Sequence, residues 1–145
     1  MKDTIIRFFA QYYTYVTVIL ISAYFLFILG LPVALILSGL FSFISVLVAK
    51  LLKRIIVKKR NTKAQMFSTG DIYAFPSSHA AGLSSLIIST LGDPVWIFIA
   101  VSSAIILLAR VKSKVHDYKD IIGGLLVGSV VTGVLIFGLI LLFTL

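Results

Sequence analysis

The densest cluster of side chains able to do chemistry lies in residues 110–120, which read RVKSKVHDYKD and interrupt two long apolar segments. If a helix begins near His116, then His116 and Asp120 stand at positions i and i+4 on one face. The carboxylate can then accept a hydrogen bond from one imidazole nitrogen and leave the other as a nucleophile. Arg110 supplies a planar fork of donors that suits phosphate oxygens. This spacing predicts chemistry on a phosphate group.

The composition predicts a membrane protein. Of the 145 residues, 60% are hydrophobic and 12% are charged, against roughly a quarter charged in soluble domains, and the mean hydropathy is +1.14. The net charge of +8 would suggest nucleic acid in a soluble chain, but here it favours anionic lipid head groups or phosphorylated substrates. We therefore expect no nucleic-acid partner. Cysteine is absent, which excludes disulfides and thiolate chemistry.

Five apolar stretches predict an all-α fold, a multi-pass transmembrane helix bundle of about five spans in a single domain, residues 1–145. Residues 8–49 carry no charge and are too long for one crossing of a bilayer. The sequence Gly-Leu-Pro at residues 30–32 is the strongest break inside them. The predicted spans are residues 9–29, 32–52, 78–91, 95–109 and 121–145.

Small residues mark two of the predicted helix faces. Ala81, Ser85 and Ser89 recur every four positions in the third span, and Gly124 and Gly128 form a G-x-x-x-G pair in the fifth. Each pattern allows close packing against another membrane helix.

The order of the spans brings distant segments together. Pro76 and the two serines that follow it predict the start of the third span. Because the third and fourth spans lie between them, residues 50–78 and residues 110–120 are expected on the same face of the membrane. Three clusters of polar side chains can therefore meet there.

The first two of these clusters resemble motifs of the type 2 phosphatidic acid phosphatase superfamily, lipid phosphatases that share their site with vanadium haloperoxidases. The family motif K-x6-R-P corresponds to Lys53 and Arg60, with Asn61 in place of the proline. The motif P-S-G-H corresponds to residues 76–79, with Ser78 in place of the glycine. A side chain at that position predicts a tighter or differently shaped pocket.

The third cluster resembles the family motif S-R-x5-H-x3-D. It corresponds to Arg110, His116 and Asp120, with Ala109 in place of the serine. The resemblance covers residues 53–120, and it rests on the order, the spacing and the positions of the motifs at membrane edges.

The resemblance implies a metal-independent phosphatase that acts on a lipid phosphate or diphosphate and needs no cofactor. His116 would attack phosphorus to form a phosphohistidine, while Asp120 fixes the tautomer of the ring. His79 would act as general acid and then as base for the hydrolytic water. The residues expected to hold the phosphoryl oxygens are Lys53, Arg60, Ser77, Ser78 and Arg110.

Simpler interpretations exist for the same residues. A histidine such as His79 at a membrane edge is often only an interfacial polar residue. Asp120 can also be an acidic residue in the first turn of a helix, where the helix dipole favours it. The alternative function is a non-enzymatic basic membrane protein that binds anionic lipids or a partner, and a vanadate-dependent oxidase is a remote third. A zinc site lacks enough ligands.

The charge distribution predicts which side of the membrane the site faces. With five spans, all 13 Lys and Arg residues fall on one face, and the opposite face carries only Asp93. The positive-inside rule then places the active site on the cytoplasmic face of the cell membrane. Many members of the family face outward and have six spans, so a missing N-terminal helix would account for the difference.

Overall fold

The computed structural model of the protein describes residues 32–59 and 73–145, together with the single positions Ile19 and Ala23. Within these residues the fold is all-helical, which confirms the all-α prediction. Apart from Ile19 and Ala23, the predicted first span lies outside the described residues. The described residues contain four complete helices, α1 (Pro32–Ile56), α2 (Ser78–Ser89), α3 (Trp96–Lys112) and α4 (Tyr118–Thr144).

Two of these helices are long and apolar enough to cross a membrane, α1 over Ile36–Ile56 and α4 over Tyr118–Thr144. The helices α2 and α3 have 12 and 17 residues. At 1.5 Å per residue they rise about 18 and 26 Å, which is less than the roughly 30 Å of a hydrocarbon core. The described residues thus support a membrane protein, and the five-span arrangement stays a prediction.

Helix α1 has small and polar residues on its inner face and large apolar residues on its outer face. Ser45, Ala49 and Lys53 recur every four residues and are all buried, so α1 carries a lysine on its packed face. An apolar outer surface of this extent is unusual for a soluble protein and is suited to lipid. The exposed large residues on that side are Ile36, Leu40, Phe43, Leu47, Leu51 and Ile55.

Helix α2 is the centre of the bundle and runs antiparallel to α1. Near its middle, Ser42 of α1 donates a hydrogen bond to the Gly82 carbonyl at 3.1 Å, and a Cβ on Gly82 would lie 3.0 Å from Val46. At its start, Ser78 contacts Lys53. The C-terminal end of α1 therefore lies beside the N-terminal end of α2.

Helix α4 packs parallel to α2 through its two predicted glycines. A Cβ on Gly124 would overlap the carbonyl oxygen of Ser77, and a Cβ on Gly128 would overlap that of Ala81. Only glycine permits so close an approach of one backbone to another. The packing role predicted for this pair is confirmed.

Further along, α2 and α4 are joined by four side-chain hydroxyls, which we name the hydroxyl seam: Ser84, Ser85, Ser129 and Thr132. The Oγ atoms of Ser84 and Ser129 lie 2.9 Å apart, and Thr132 donates to Ser85 at 2.7 Å. Such bonds hold membrane helices together because an unpaired hydroxyl in an apolar interior is costly.

Helix α3 returns the chain from the far end of α2 to the start of α4. The turn contains Gly92 with a φ of 92°, and the Asp93 carboxylate accepts from the Val95 amide at 2.9 Å, as the predicted break at residues 92–94 requires. Leu83 and Ile99 belong to the small apolar core between α2 and α3. This return explains why α2 and α4 begin at the same end of the bundle.

Candidate active site

Three segments that are far apart in the sequence meet at one end of the bundle, which we call the site end. It is formed by the C-terminal end of α1 and the N-terminal ends of α2 and α4. The Lys53 ammonium donates to the Ser78 hydroxyl at 3.4 Å, and the Ser77 amide donates to the Asp120 carbonyl at 2.9 Å. The predicted meeting of the three motifs is confirmed for these residues.

The two serines of the second motif form the start of α2. Ser77 is the N-cap and its hydroxyl accepts from the Ala80 amide at 3.4 Å, as the Pro-Ser-Ser sequence predicts. Both serines are buried. The backbone amides in the first turn of a helix, together with the positive end of its dipole, favour an anion at this place.

Lys53 places a cation beside this helix terminus. Only 1% of the residue is exposed, and burying an ammonium group costs free energy unless polar or anionic groups surround it. Its hydrogen bond to Ser78 gives the serine that replaces the motif's glycine a definite contact. Ser78 therefore helps to fix a buried cation.

His116 and Asp120 form a buried pair, with 2% and 1% of each residue exposed. The Nδ1 atom of His116 lies 3.7 Å from Oδ2 of Asp120, within the range of an ion pair and longer than a hydrogen bond. Helix α4 begins at Tyr118, so His116 lies in the turn before the helix rather than in its first turn. The His116 amide donates to the Arg110 carbonyl at 3.4 Å, which positions the ring for the predicted contact.

Asp120 is held from three directions. Its Oδ2 accepts from the Asp117 amide at 3.0 Å, so it caps α4 and faces His116 at once. Its Oδ1 accepts from the Lys58 ammonium at 2.7 Å, and Lys58 also reaches Oδ2 of Asp117 at 3.2 Å. The hydrogen bond to Asp120 raises the pKa of the Lys58 ammonium above its usual value. Asp120 therefore lies in the first turn of α4, where an acidic residue was expected, and it also lies beside His116.

Lys58 is the residue that sequence reasoning missed. It stands in a run of seven cations between residues 50 and 63, and nothing in the spacing of that run distinguishes it from its neighbours. Asp117 also pairs with Lys58, although 77% of the Asp117 side chain is exposed.

For the other predicted site residues, the structure gives the burial or backbone contacts of Arg110 and His79, while Arg60 is not described. Arg110 is buried, and its carbonyl accepts from the Val115 amide at 3.1 Å, so its backbone shapes the turn that holds His116. His79 is half-buried in the first turn of α2. Arg60 lies outside the described residues, but Lys59 before it forms an antiparallel bridge with Tyr73, close to the second motif in the chain.

Within residues 32–59 and 73–145, no three His, Asp or Glu side chains are grouped so that they could hold a metal ion. The groups that do converge are an imidazole, a carboxylate, a buried ammonium and a helix N-terminus, a set that suits nucleophilic attack on a bound anion. Comparison of the chain with protein-family models, curated proteins and solved structures finds no match in any of the three. The family resemblance therefore rests on the motifs of this sequence.

Proposed function

We propose that the protein is an integral-membrane lipid phosphatase that hydrolyses a lipid phosphomonoester or diphosphate through a phosphohistidine intermediate, as type 2 phosphatidic acid phosphatases do. One observation carries the proposal. The buried pair of His116 and Asp120 lies at the same end of the bundle as the buried Lys53, which contacts the first turn of α2. The Ser77 amide joins the start of α2 to the Asp120 carbonyl. A nucleophile, its orienting carboxylate and donors for an anion are thus brought together from three separate segments.

The reaction would proceed in two displacements on phosphorus. In the first, Nε2 of His116 attacks phosphorus, the bond to the leaving oxygen breaks, and His79 donates its proton to that oxygen. In the second, a water gives a proton to His79 and attacks the phosphohistidine, which releases inorganic phosphate and restores His116. Asp120 stabilises the positive charge that develops on the ring. Lys53 and the backbone amides of Ser78 and His79 stabilise the charge on the phosphoryl oxygens.

A lipid substrate suits the surface that surrounds the site. Large apolar residues are exposed on α1 from Ile36 to Ile56 and on α4 from Tyr118 to Phe143, so a tail would lie among hydrocarbon while its head group reaches the site end. A polyprenyl diphosphate, or a phosphatidate or phosphatidylglycerophosphate lipid, fits this description. The protein groups that would donate hydrogen bonds to the head group are the same for all of these lipids.

Phosphate release from a panel of phosphorylated lipids by the purified protein tests the proposal. The expected result is release from at least one lipid, resistant to EDTA and inhibited by orthovanadate, which mimics the five-coordinate phosphoryl transition state. Protein carrying His116→Ala should release none. Equal release by wild type and a cleanly purified His116→Ala variant would overturn the mechanism, and activity restored by magnesium after EDTA would reveal a metal site.

The exposed cations at the site end favour a second candidate function, binding of anionic lipids without catalysis. Lys50, Arg54, Lys112, Lys114 and Lys119 are exposed there, and such groups attract anionic head groups. Binding of this kind should weaken as salt rises, because exposed charges are screened. Lipid binding should also persist when His116 is replaced, whereas phosphate release should be lost.

The five-span topology and the cytoplasmic position of the site form part of the proposal. Lys119→Cys and Leu91→Cys place single thiols on exposed positions in a chain that has no other cysteine. Lys119 lies at the site end in the first turn of α4, and Leu91 lies just beyond the C-terminal end of α2. In intact cells, Leu91→Cys should react with a membrane-impermeant maleimide, and Lys119→Cys should react only after the cells are opened. The reverse pattern would mean a site that faces outward.

A further inference from the structure

Lys58, in the segment that follows α1, makes a short polar contact with α4 at the site end. Its ammonium lies 2.7 Å from Oδ1 of Asp120 and 3.2 Å from Oδ2 of Asp117. The two partners differ in environment, since 1% of the Asp120 side chain is exposed but 77% of the Asp117 side chain is. A charge pair with one buried member is screened less than a pair on the surface, so the Asp120 contact is the stronger one.

The backbone before Lys58 is bent in a way that directs the lysine toward α4. Val57 has a φ of 51°, a left-handed conformation that is unusual for a β-branched residue. Its amide donates to the Lys53 carbonyl at 3.1 Å, and the Lys58 carbonyl accepts from the Ala74 amide at 2.8 Å. The chain is therefore turned and fixed on both sides of the position from which the ammonium reaches Asp120.

The contacts of the Asp120 carboxylate divide between its two oxygens. Lys58 binds Oδ1, while Oδ2 accepts from the Asp117 amide and faces Nδ1 of His116 at 3.7 Å. A carboxylate fixed at one oxygen by an ammonium and at the other by a backbone amide cannot rotate freely about its terminal torsion. The orientation of the oxygen that faces His116 is set by these two bonds.

We propose that Lys58 is a positioning residue of this site, which acts through Asp120 to fix the orientation and tautomer of His116. Its effect on turnover rests on the proposed phosphatase function, whereas its effect on the His116 ring does not. Lys58 touches no predicted phosphate ligand in these contacts, so it is expected to influence the rate of the chemical step rather than substrate binding.

The kinetic test uses Lys58→Met with Lys59→Met as its matched control, since Lys59 is the exposed neighbour. Lys58→Met should lower kcat by about 10- to 100-fold, because misplacement of a reacting group by about 1 Å has effects of this size, with KM changed less than about twofold. Lys58→Arg should recover most of the rate, because it keeps the charge. Lys59→Met should behave as wild type. Normal turnover in Lys58→Met would overturn the proposal.

A double substitution separates action through Asp120 from any other action. In an Asp120→Asn background, Lys58→Met should cause no further loss of kcat, because the path through the carboxylate is already broken. Asp117→Asn, which removes the exposed partner of Lys58, should change kcat by less than about twofold. A full additional loss from Lys58→Met in the Asp120→Asn protein would show that the lysine acts elsewhere.

A spectroscopic test works without turnover. The chain has two histidines, so in a His79→Gln protein labelled with 15N-histidine the imidazole signals belong to His116. One protonated and one unprotonated nitrogen are expected, and both Lys58→Met and Asp120→Asn should bring the two shifts together. Unchanged shifts in Lys58→Met would overturn the proposal even if the protein is an active phosphatase. If wild type releases no phosphate from any lipid, the proposed function fails and this spectrum still decides the role of Lys58.

Discussion

The interface between α2 and α4 contains polar groups in two regions, and the regions differ in charge. At the site end, the Ser77 amide meets the Asp120 backbone, and the nearby side chains are carboxylates, an imidazole and lysines. In the hydroxyl seam, neutral hydroxyls join the same two helices. Buried charges cost more to desolvate than hydroxyls and contribute little net stability. Adhesion of the helices is therefore a sufficient role for the seam, whereas the buried charges at the site end are explained by the proposed chemistry.

The largest effect is expected at the site end. His116→Ala should abolish phosphate release, because it removes the proposed nucleophile. Asp120→Asn should lower phosphate release by up to about 10⁴-fold, because it leaves the nucleophile in place but removes the carboxylate that orients it. Both proteins should remain folded in detergent. Ser129→Ala in the seam is the control and should keep normal activity, measured as phosphate release by folded protein. Equal losses in Ser129→Ala and Asp120→Asn would erase the distinction between the two regions.

Close packing of α2 and α4 should matter next. Gly128→Ala places a methyl group against the Ala81 carbonyl, whereas Gly133→Ala, on the same helix, meets nothing within 4 Å. Gly128→Ala should destabilise the protein by about 1–3 kcal/mol. Gly133→Ala should stabilise it by roughly 0.5–1 kcal/mol, because alanine is the better helix former. Unfolding in detergent measures both, and equal shifts would contradict the packing described for α4.

A stabilising change is expected at the site end itself. Val57→Gly removes a β-branched side chain from a left-handed backbone conformation and should add about 1 kcal/mol to the free energy of unfolding. Lys114 has a similar φ of 57° but is not β-branched, so Lys114→Gly should give a smaller gain. The midpoint of unfolding in detergent compares them, and a loss of stability in Val57→Gly would mean that its conformation carries no strain.

The smallest effect is expected in the seam. Thr132→Val keeps the shape of the side chain and removes the donor to Ser85, and interhelical hydrogen bonds of this kind average about 0.6 kcal/mol in membrane proteins. Stability should fall by roughly that amount and phosphate release per folded molecule should stay constant. A change in kcat would show that the seam and the site end are coupled.

Sequence patterns predicted the parts of the fold that depend on local chemistry. The helix start at Ser77 follows from a proline and two hydroxyl residues, and the close packing at Gly124 and Gly128 follows from their spacing. The contact of His116 with Asp120 was also predicted from spacing, although the helix begins after the histidine. These features depend on residues a few positions apart, so the sequence displays them directly.

Contacts between distant segments were harder to predict. The bond from Lys58 to Asp120 joins residues separated by 62 positions, and its lysine looks like any other member of a basic run. The bond from Lys53 to Ser78 depends on the angle at which α1 crosses α2, which no spacing within one helix specifies. The pairs in the seam likewise depend on the axial register between α4 and α2, which the close contacts at the two glycines of α4 fix.

The burial of α2 has a consequence for how the protein is made. Eight of the residues of α2 are buried in the folded protein, so the native position of this short helix depends on packing against other helices rather than on contact with lipid. Its packing partner α4 begins only at Tyr118 and is synthesised later. We therefore expect α2 to gain its final place only after α4 has entered the bilayer, so a nascent chain that ends before α4 should stay sensitive to protease at Ser77 and Ser78.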